Sequence, residues 1–252
     1  MRRWTATAVA GCLAAAAVGG GCRGVAPLRV GMMPGRGPLL ERTEEGWQGA
    51  EADFAKALGE RLGREVLVRT YDGPEALKSG VLADEVDLGM GGLRVRPEWQ
   101  GEVEFSPPYL VSGWMLLTRR GGEGEWTTTG RLQGAQIRVA AKKGSEAAAF
   151  AKTYLPEAEL VAAADGKRGA EKILKGEADA YLGEAPEVLQ AWRESGDTTG
   201  VAPLLLERWE TGWMYRPGNG AMRTATREAM SEWSEDGTAG AILGRWLPVA
   251  GR

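Results

Sequence analysis

The chain has 252 residues, of which 43% are hydrophobic, so it can bury the core of one large domain or of two compact lobes. Its 31 basic and 34 acidic residues are spread along the chain and give a formal net charge of -3, which argues against a nucleic acid partner. No histidine is present, so the commonest general base, the commonest metal ligand and every Ser-His or Cys-His nucleophile pair are absent. Because no metal-ligand spacing occurs either, we expect no metal, no cofactor and no enzymatic activity.

The N-terminal segment has the composition of an export signal. Residues 1–3 are basic at two positions, residues 4–18 form an apolar, alanine-rich run, and three glycines precede Cys22. The run is shorter than the ~20 apolar residues that span a bilayer, which disfavours an uncleaved anchor. The pattern resembles a bacterial lipoprotein signal, which implies that residues 1–22 end at a lipidated Cys22. Cys12 has a better local match but follows too short an apolar run. With Cys22 lipidated, the mature chain has no internal disulfide.

The first half of the remaining chain alternates strand and helix patterns. Ala52, Ala55, Leu58 and Leu62 recur at helical spacing, and Gly63 ends that helix. The predicted strands lie at 28–32, 65–69 and 86–90, and the predicted helices at 50–62 and 74–79. Residues 92–99 follow the third strand and carry two arginines and a tryptophan. Ligands of open α/β sheets bind at such carboxyl ends, so this loop is a candidate for the site.

The second half repeats the alternation. Residues 111–118 are apolar and long enough to cross between two lobes, and residues 119–130 have a loop composition. Asn219 is a suitable N-cap for a final helix with a hydrophobic stripe. The predicted strands lie at 137–141, 160–162, 178–182 and 212–215, and the other predicted helices at 145–154, 169–175 and 186–195. This order predicts an α/β protein with largely parallel strands.

Five short motifs in the right order resemble those of the bacterial family 3 extracellular solute-binding proteins. They are the segments 28–31, 49–58, 86–88 continuing to 103–109, 178–184, and 236–238 before 246–248. The resemblance covers nearly the whole chain after the signal. It implies an α/β, periplasmic-binding-protein-like fold, with two α/β lobes, a ligand cleft and two hinge crossovers. We expect residues 28–116 and 208–252 to form the first lobe and residues 117–207 the second.

The site residues depart from the family pattern. An ungapped count back from Phe105 puts Arg94 and Arg96 at the places of two threonines, and Trp99 at the place of the arginine that grips a ligand carboxylate. Arg36 stands where the family has an aromatic residue. The resemblance therefore implies a cleft without the usual carboxylate clamp at its usual position.

Four side chains are candidates for ligand contact. Arg94 can offer a planar fork of donors to a carboxylate, sulfonate or phosphate, and Trp99 can stack on an apolar or cationic group. Arg36, which lies near the first strand, is a further candidate for ligand contact. Alternatively, the arginines face solvent and Trp99 packs on its lobe. Glu184 ends a strand where the family places a carboxylate for the ligand's ammonium group, or else it pairs with Arg94 across the cleft.

Gly144 and Ser145 precede a helix of the second lobe. The free backbone N–H groups there, together with the Ser145 hydroxyl, can hold an anionic oxygen. An ordinary N-cap is the alternative for this serine, and both can hold. Lys142 and Lys143 add positive charge nearby or form a solvated face.

The resemblance implies a solute-binding lipoprotein that clamps an amino acid or a related carboxylate or anion. We expect a monomer outside the cytoplasmic membrane, in the periplasm or on the exterior of the cell envelope, anchored by lipid and partnered by the permease subunits of an ABC importer. Two alternatives stay open. One is an accessory or interaction lipoprotein that has lost transport, and the other is a carboxylate-dependent enzyme on the same fold.

Overall fold

The computed structural model describes residues 25–126 and 128–247. The strands are β1 (Leu28–Met32), β2 (Glu41–Thr43), β3 (Gly46–Gln48), β4 (Val66–Thr70), β5 (Leu88–Met90), β6 (Glu104–Phe105), β7 (Leu110–Arg119), β8 (Arg138–Lys142), β9 (Glu159–Ala163), β10 (Ala180–Glu184), β11 (Thr199–Val201), β12 (Arg208–Thr211) and β13 (Met214–Tyr215). The α-helices are α1 (Ala50–Leu62), α2 (Pro74–Leu82), α3 (Thr129–Gln133), α4 (Glu146–Tyr154), α5 (Gly166–Leu174), α6 (Ala185–Ser195), α7 (Gly220–Glu235) and α8 (Thr238–Trp246).

Lobe 1, as we name it, is built on a five-stranded sheet with the order β4-β1-β5-β13-β6. β1 pairs in parallel with both β4 and β5, so Val30 lies between Val68 and Leu88. β13 pairs antiparallel with β5 and β6. Helices α1, α7 and α8 contact one another, and α2 contacts β1 and β5.

Lobe 2 is built on a second sheet with the order β11-β7-β10-β8-β9. In addition, β12 pairs with the first four residues of β7. β8 pairs in parallel with β9 and β10, whereas β7 runs antiparallel to β10, β11 and β12. Helices α4, α5 and α6 all contact β10. The fold class predicted from the sequence, a two-lobed α/β binding-protein architecture, is confirmed.

The chain passes between the lobes along β7 and β12. The first four residues of β7, up to Gly113, pair with β12, and the following residues from Trp114 pair with β10. One continuous ten-residue strand therefore carries the first crossover into the second sheet. The second crossover, β12, runs beside it and leads back to β13 in lobe 1.

Helix α1 shows how the sequence produces a local element. It has the predicted bounds, and Gly63 ends it in the left-handed conformation with φ 60°. Its stripe buries Ala55 and Leu58 together with Phe54. Phe54 meets the rings of Tyr109, Trp213 and Trp233 at centroid distances of 5.2, 5.6 and 5.8 Å. These aromatic contacts join α1 to both crossover segments in the lobe 1 core.

Several sequence predictions are corrected by the structure. The strands are mixed rather than largely parallel, because both crossovers return the chain antiparallel to its neighbours. Of the predicted strand at 212–215, only Met214–Tyr215 is a strand, β13, and β12 just before it was not predicted. The final helical region is two helices, α7 and α8, because Gly237 adopts φ 82° between them while the Asp236 carboxylate accepts the Thr238 amide. The β2-β3 hairpin was not predicted.

Candidate functional site

A pocket of about 320 Å³ lies between the lobes. Its walls come from the carboxyl ends of β1 and β5 in lobe 1 and from those of β8 and β10 in lobe 2, where loops and helix N-termini converge. The basic side chains on the walls belong to Arg36, Arg94, Arg96, Lys142 and Lys143, and the acidic ones to Glu146, Glu184 and Glu187. The cleft therefore offers charges of both signs to a small polar molecule.

Glu184 and Arg36 meet across the cleft. Glu184 is the last residue of β10 and the N-cap position of α6, so it lies at the carboxyl end of the strand. One Arg36 nitrogen, Nη2, donates to both Glu184 oxygens at 2.9 and 3.0 Å. The two side chains are 31% and 25% exposed, so the contact is partly shielded from water. The cross-cleft partner of Glu184 is Arg36 rather than Arg94.

Arg94 lies on the hinge side of the pocket. Its guanidinium pairs with Glu207 at 2.5 Å and lies over the Trp209 ring, 4.7 Å from the centroid. The Trp114 indole N–H donates to the other Glu207 oxygen at 3.1 Å. Arg94 is thus held by residues next to and within the second crossover while it lines the pocket.

Arg96 makes the second contact between the lobes. It pairs with Glu146 of α4 at 2.6 Å and with its own neighbour Glu98 at 3.5 Å. Burial lowers the pKa of Arg96, but the two carboxylates outweigh this and raise the pKa above its usual value. Arg96 lines the pocket, which is against the alternative that the loop arginines face solvent.

The turn before α4 brings Gly144 and Ser145 to the pocket wall. The Ser145 hydroxyl accepts from the Ala148 amide at 3.2 Å and donates to the Lys142 carbonyl at 2.7 Å. It is therefore an N-cap whose proton is already used within the chain. Gly144 has φ 75°, a conformation that favours glycine.

Trp99 lies in the core of lobe 1 and not on the pocket wall. Its side chain is 3% exposed and stacks on Phe105 at a centroid distance of 6.4 Å. The cations of Lys78 and Arg96 lie over its ring at 4.9 and 5.2 Å. This placement corrects the expectation that Trp99 faces the ligand, because the short helical turn Pro97–Trp99 directs the ring back onto the sheet.

The structure places further residues on the pocket wall that the sequence did not identify as site residues. Trp114 and Trp209 line the hinge side, in an edge-to-face contact at 4.9 Å. Glu187 accepts from the Tyr181 hydroxyl at 2.7 Å and from the Gly166 amide at 2.9 Å. Burial and this carboxylate raise the pKa of Tyr181. The signal for Glu187 was its position in the first turn of the helix that follows β10.

Two negative observations apply to the described residues alone. Within residues 25–126 and 128–247, no three His, Cys, Asp or Glu side chains form a group that could hold a metal ion. No helix in that part of the chain has the length and apolar character needed to cross a membrane. The signal segment and Cys22 lie outside it, so the lipidation prediction stays a prediction.

Comparisons with known proteins decide the family. The model of the bacterial extracellular solute-binding proteins, family 3, matches residues 28–249. The chain belongs to this family. This match confirms the resemblance seen in the five sequence motifs, and it places the chain in a family of extracellular proteins.

Curated relatives include both binding proteins and an enzyme. The chain is 25% identical to the L-cystine-binding protein TcyJ of Escherichia coli (strain K12), over 79% of this chain and 74% of that protein. It is 28% identical to cyclohexadienyl dehydratase of Pseudomonas aeruginosa, over 70% and 66%. This family 3 fold therefore supports binding in one relative and catalysis in another.

A solved structure shows the same fold. The ancestral cationic amino acid solute-binding protein AncCDT-1 superposes with a TM-score of 0.77 at 23% identity, covering 88% of this chain and 95% of that one. At this identity, the likeness is one of fold.

Proposed function

We propose that this family 3 protein is the receptor of an ABC importer for an amino acid or a closely related carboxylate. It holds the solute between its lobes and performs no chemistry on it. Support comes from the family match, from the cystine-binding relative and from the fold shared with an amino acid-binding protein.

The observation that carries the proposal is the pairing of opposite charges across the interlobe pocket. Arg36 from lobe 1 and Glu184 from lobe 2 lie in contact on its walls. A zwitterion presents a carboxylate and an ammonium group, which are the complements of these two side chains. The volume, about 320 Å³, lies at the small end of ordinary ligand pockets and suits a solute of this size.

Export and anchoring complete the proposal. We infer that residues 1–22 are a lipoprotein signal and that lipidated Cys22 anchors a monomer to the cell envelope, where it docks on permease subunits. Mass spectrometry of the protein from its native envelope tests the anchor, with a diacylglyceryl-modified Cys22 as the expected N-terminus. An N-terminus elsewhere, or an unmodified Cys22, would remove the anchor from the proposal.

The binding test uses purified wild-type protein with L-cystine, L-arginine, L-lysine and L-glutamate. We expect at least one to raise the melting temperature and to change tryptophan fluorescence, since Trp114 and Trp209 line the pocket. Glu184→Gln should weaken that binding about tenfold or more, because the ammonium group loses its charged partner. Glu60→Gln, an exposed change on α1 outside the pocket, is the matched control.

Two outcomes contradict the proposal. If folded wild-type protein binds none of these amino acids and no other solute co-purifies with it, the accessory lipoprotein becomes the better interpretation. If a bound solute is instead recovered chemically changed, as shown by mass spectrometry, an enzyme is favoured.

A further inference from the structure

Glu51 is a fully buried carboxylate beside the candidate site but not on its wall. It lies in the first turn of α1 and is 0% exposed. One oxygen, Oε1, accepts from the amides of Gly91 and Gly92 at 3.0 and 2.6 Å, and from the Tyr109 hydroxyl at 2.5 Å. The other, Oε2, accepts from the indole N–H of Trp213 at 2.8 Å. All four donors are neutral groups.

The two glycine amides belong to the loop that carries the cleft arginines. Gly91 and Gly92 follow β5 with φ 121° and 70°, so their N–H groups can converge on one oxygen. The Gly92 carbonyl faces Arg36 Nη2 at 3.4 Å, and Arg94 lies two residues further on. The position of this loop therefore sets the position of two pocket side chains.

The other two donors lie where the two crossovers, β7 and β12, join lobe 1. Tyr109 directly precedes β7, and its amide donates to the Thr211 carbonyl of β12 at 3.0 Å. Trp213 stands between β12 and β13. Glu51 thus connects the cleft loop with both segments that lead from lobe 1 to lobe 2.

The same loop is bonded directly to the second crossover. The Val95 amide donates to the Glu210 carbonyl at 2.8 Å, and the Gly212 amide donates to the Leu93 carbonyl at 3.1 Å. A shift of the loop would break these bonds, which makes its anchoring at Glu51 relevant to the hinge as well as to the pocket.

Burying this carboxylate is costly unless its acceptors are filled. Burial raises the pKa of Glu51, and the hydrogen bonds from Tyr109, the two glycines and Trp213 oppose that rise. Burial and Glu51 together raise the pKa of Tyr109 well above its usual value, so its hydroxyl remains a donor. Such a group persists only where surrounding residues hold it in one geometry.

We propose that Glu51 is a positioning residue. It holds the Gly91–Gly92 loop in a fixed position relative to Tyr109 and Trp213, and so presents Arg36 and Arg94 to the solute. Its effect on affinity rests on the proposed solute-binding function. Its effect on the loop does not.

The test compares Glu51→Gln with Asp53→Asn. Asp53 is two residues further along α1, and its carboxylate also accepts from an indole, that of Trp246 at 2.8 Å, and from Arg245 at 2.9 Å, but it does not contact the cleft loop. Hydrogen exchange measured by NMR should show the Gly91 and Gly92 amides about tenfold faster in Glu51→Gln and unchanged in Asp53→Asn. The Trp213 indole resonance should shift in Glu51→Gln alone.

Affinity is measured on the same variants with whichever panel amino acid binds the wild type. We expect a loss of about tenfold for Glu51→Gln and none for Asp53→Asn. If Glu51→Gln does not fold, Tyr109→Phe removes one donor and should produce a smaller change in the same amides. Unchanged glycine amides in folded Glu51→Gln, or equal changes in Asp53→Asn, would overturn the proposal. Failure of every amino acid to bind would contradict the proposed function, while the exchange data would still test the loop.

Discussion

Trp99 stacks on Phe105, and the sequence resemblance implies that it stands at the place of the family's carboxylate-binding arginine. On that resemblance, an aromatic ring in the lobe 1 core stands in place of a charged group of the site. Three arginines line the pocket nearby, and each pairs with a glutamate: Arg36 with Glu184, Arg94 with Glu207 and Arg96 with Glu146. At the residue scale, these three arginines carry positive charge on the pocket wall without an arginine at position 99.

Trp99→Ala should therefore lower stability and leave solute affinity nearly unchanged. Truncating a buried tryptophan costs about 3–5 kcal/mol, through lost apolar burial and the cavity left behind. Denaturant unfolding measures the first effect, and titration of the folded variant with the amino acid that binds wild type measures the second. A loss of affinity in a fully folded Trp99→Ala variant would show that Trp99 contributes to the ligand site.

An arginine and an aspartate form the same bond pattern in each lobe. Arg29 on β1 and Arg138 on β8 each donate a backbone N–H to the aspartate that precedes a neighbouring parallel strand, at 3.0 Å to Asp87 and 2.8 Å to Asp179. Each arginine also places its guanidinium on the same carboxylate. At the element scale, the two halves thus share one device for fixing the register of parallel strands.

Asp87→Asn should destabilise the protein by about 2 kcal/mol, since a hydrogen-bonded charge is lost at a site only 14% exposed. Asp179→Asn should cost less, because its side chain is 39% exposed and water screens the pair. Chemical unfolding at neutral pH measures both, and a larger effect for Asp179→Asn would contradict this explanation.

The same pairs predict a pH dependence. Burial raises the pKa of Asp87, but bonds from Arg29 and the charge of Arg64 outweigh it, so the pKa is lowered overall. Bonds from Arg138 lower the pKa of Asp179, against a smaller effect of burial. A carboxyl with a lower pKa when folded stabilises at neutral pH, and this contribution is lost as the pH falls below about 5. Unfolding from pH 7 to 3 should show a smaller decline in Asp87→Asn, and an identical decline would contradict the linkage.

The two lobes are joined by ion pairs across their cleft. Arg36–Glu184 and Arg96–Glu146 each connect a lobe 1 loop with the start of a lobe 2 helix. Both pairs are partly exposed, so each contributes about 1 kcal/mol at most and is weakened by salt. At the scale of the whole molecule, these pairs stabilise the closed arrangement of the lobes by only a small free energy. A solute that pairs with the same charged groups adds to that stabilisation.

The double variant Arg36→Gln, Arg96→Gln should favour the open arrangement of the lobes. Losing about 2 kcal/mol changes an open-to-closed ratio by about thirtyfold, so the radius of gyration from small-angle X-ray scattering should increase. High salt should produce part of the same change in wild type. Arg61→Gln, which removes pairs with Glu228 and Glu232 inside lobe 1, is the control. An unchanged radius in the double variant would show that these pairs do not hold the lobes together.

The sequence by itself indicated the alternation of strands and helices, the family and part of the site. Periodicity predicted α1 to its exact bounds, because hydrophobic spacing and a terminal glycine act locally. The resemblance placed Glu184 at the end of a strand and Arg36 near the first strand, and the structure finds both on the pocket wall. The antiparallel course of β7 depended on contacts that no local pattern contains, whereas the Asp236-Gly237 turn that divides the last helical region is a local signal.

Only the tertiary structure decided which charged groups meet. Arg36 and Glu184 are 148 residues apart, and their contact depends on how two separately folded sheets are joined by β7 and β12. The burial of Trp99 and the role of Glu51 depend likewise on neighbours from distant segments. Local residues determine an element and its buried face, whereas the partner of a side chain is set by the arrangement of the elements, and the chemistry of this cleft depends on those partners.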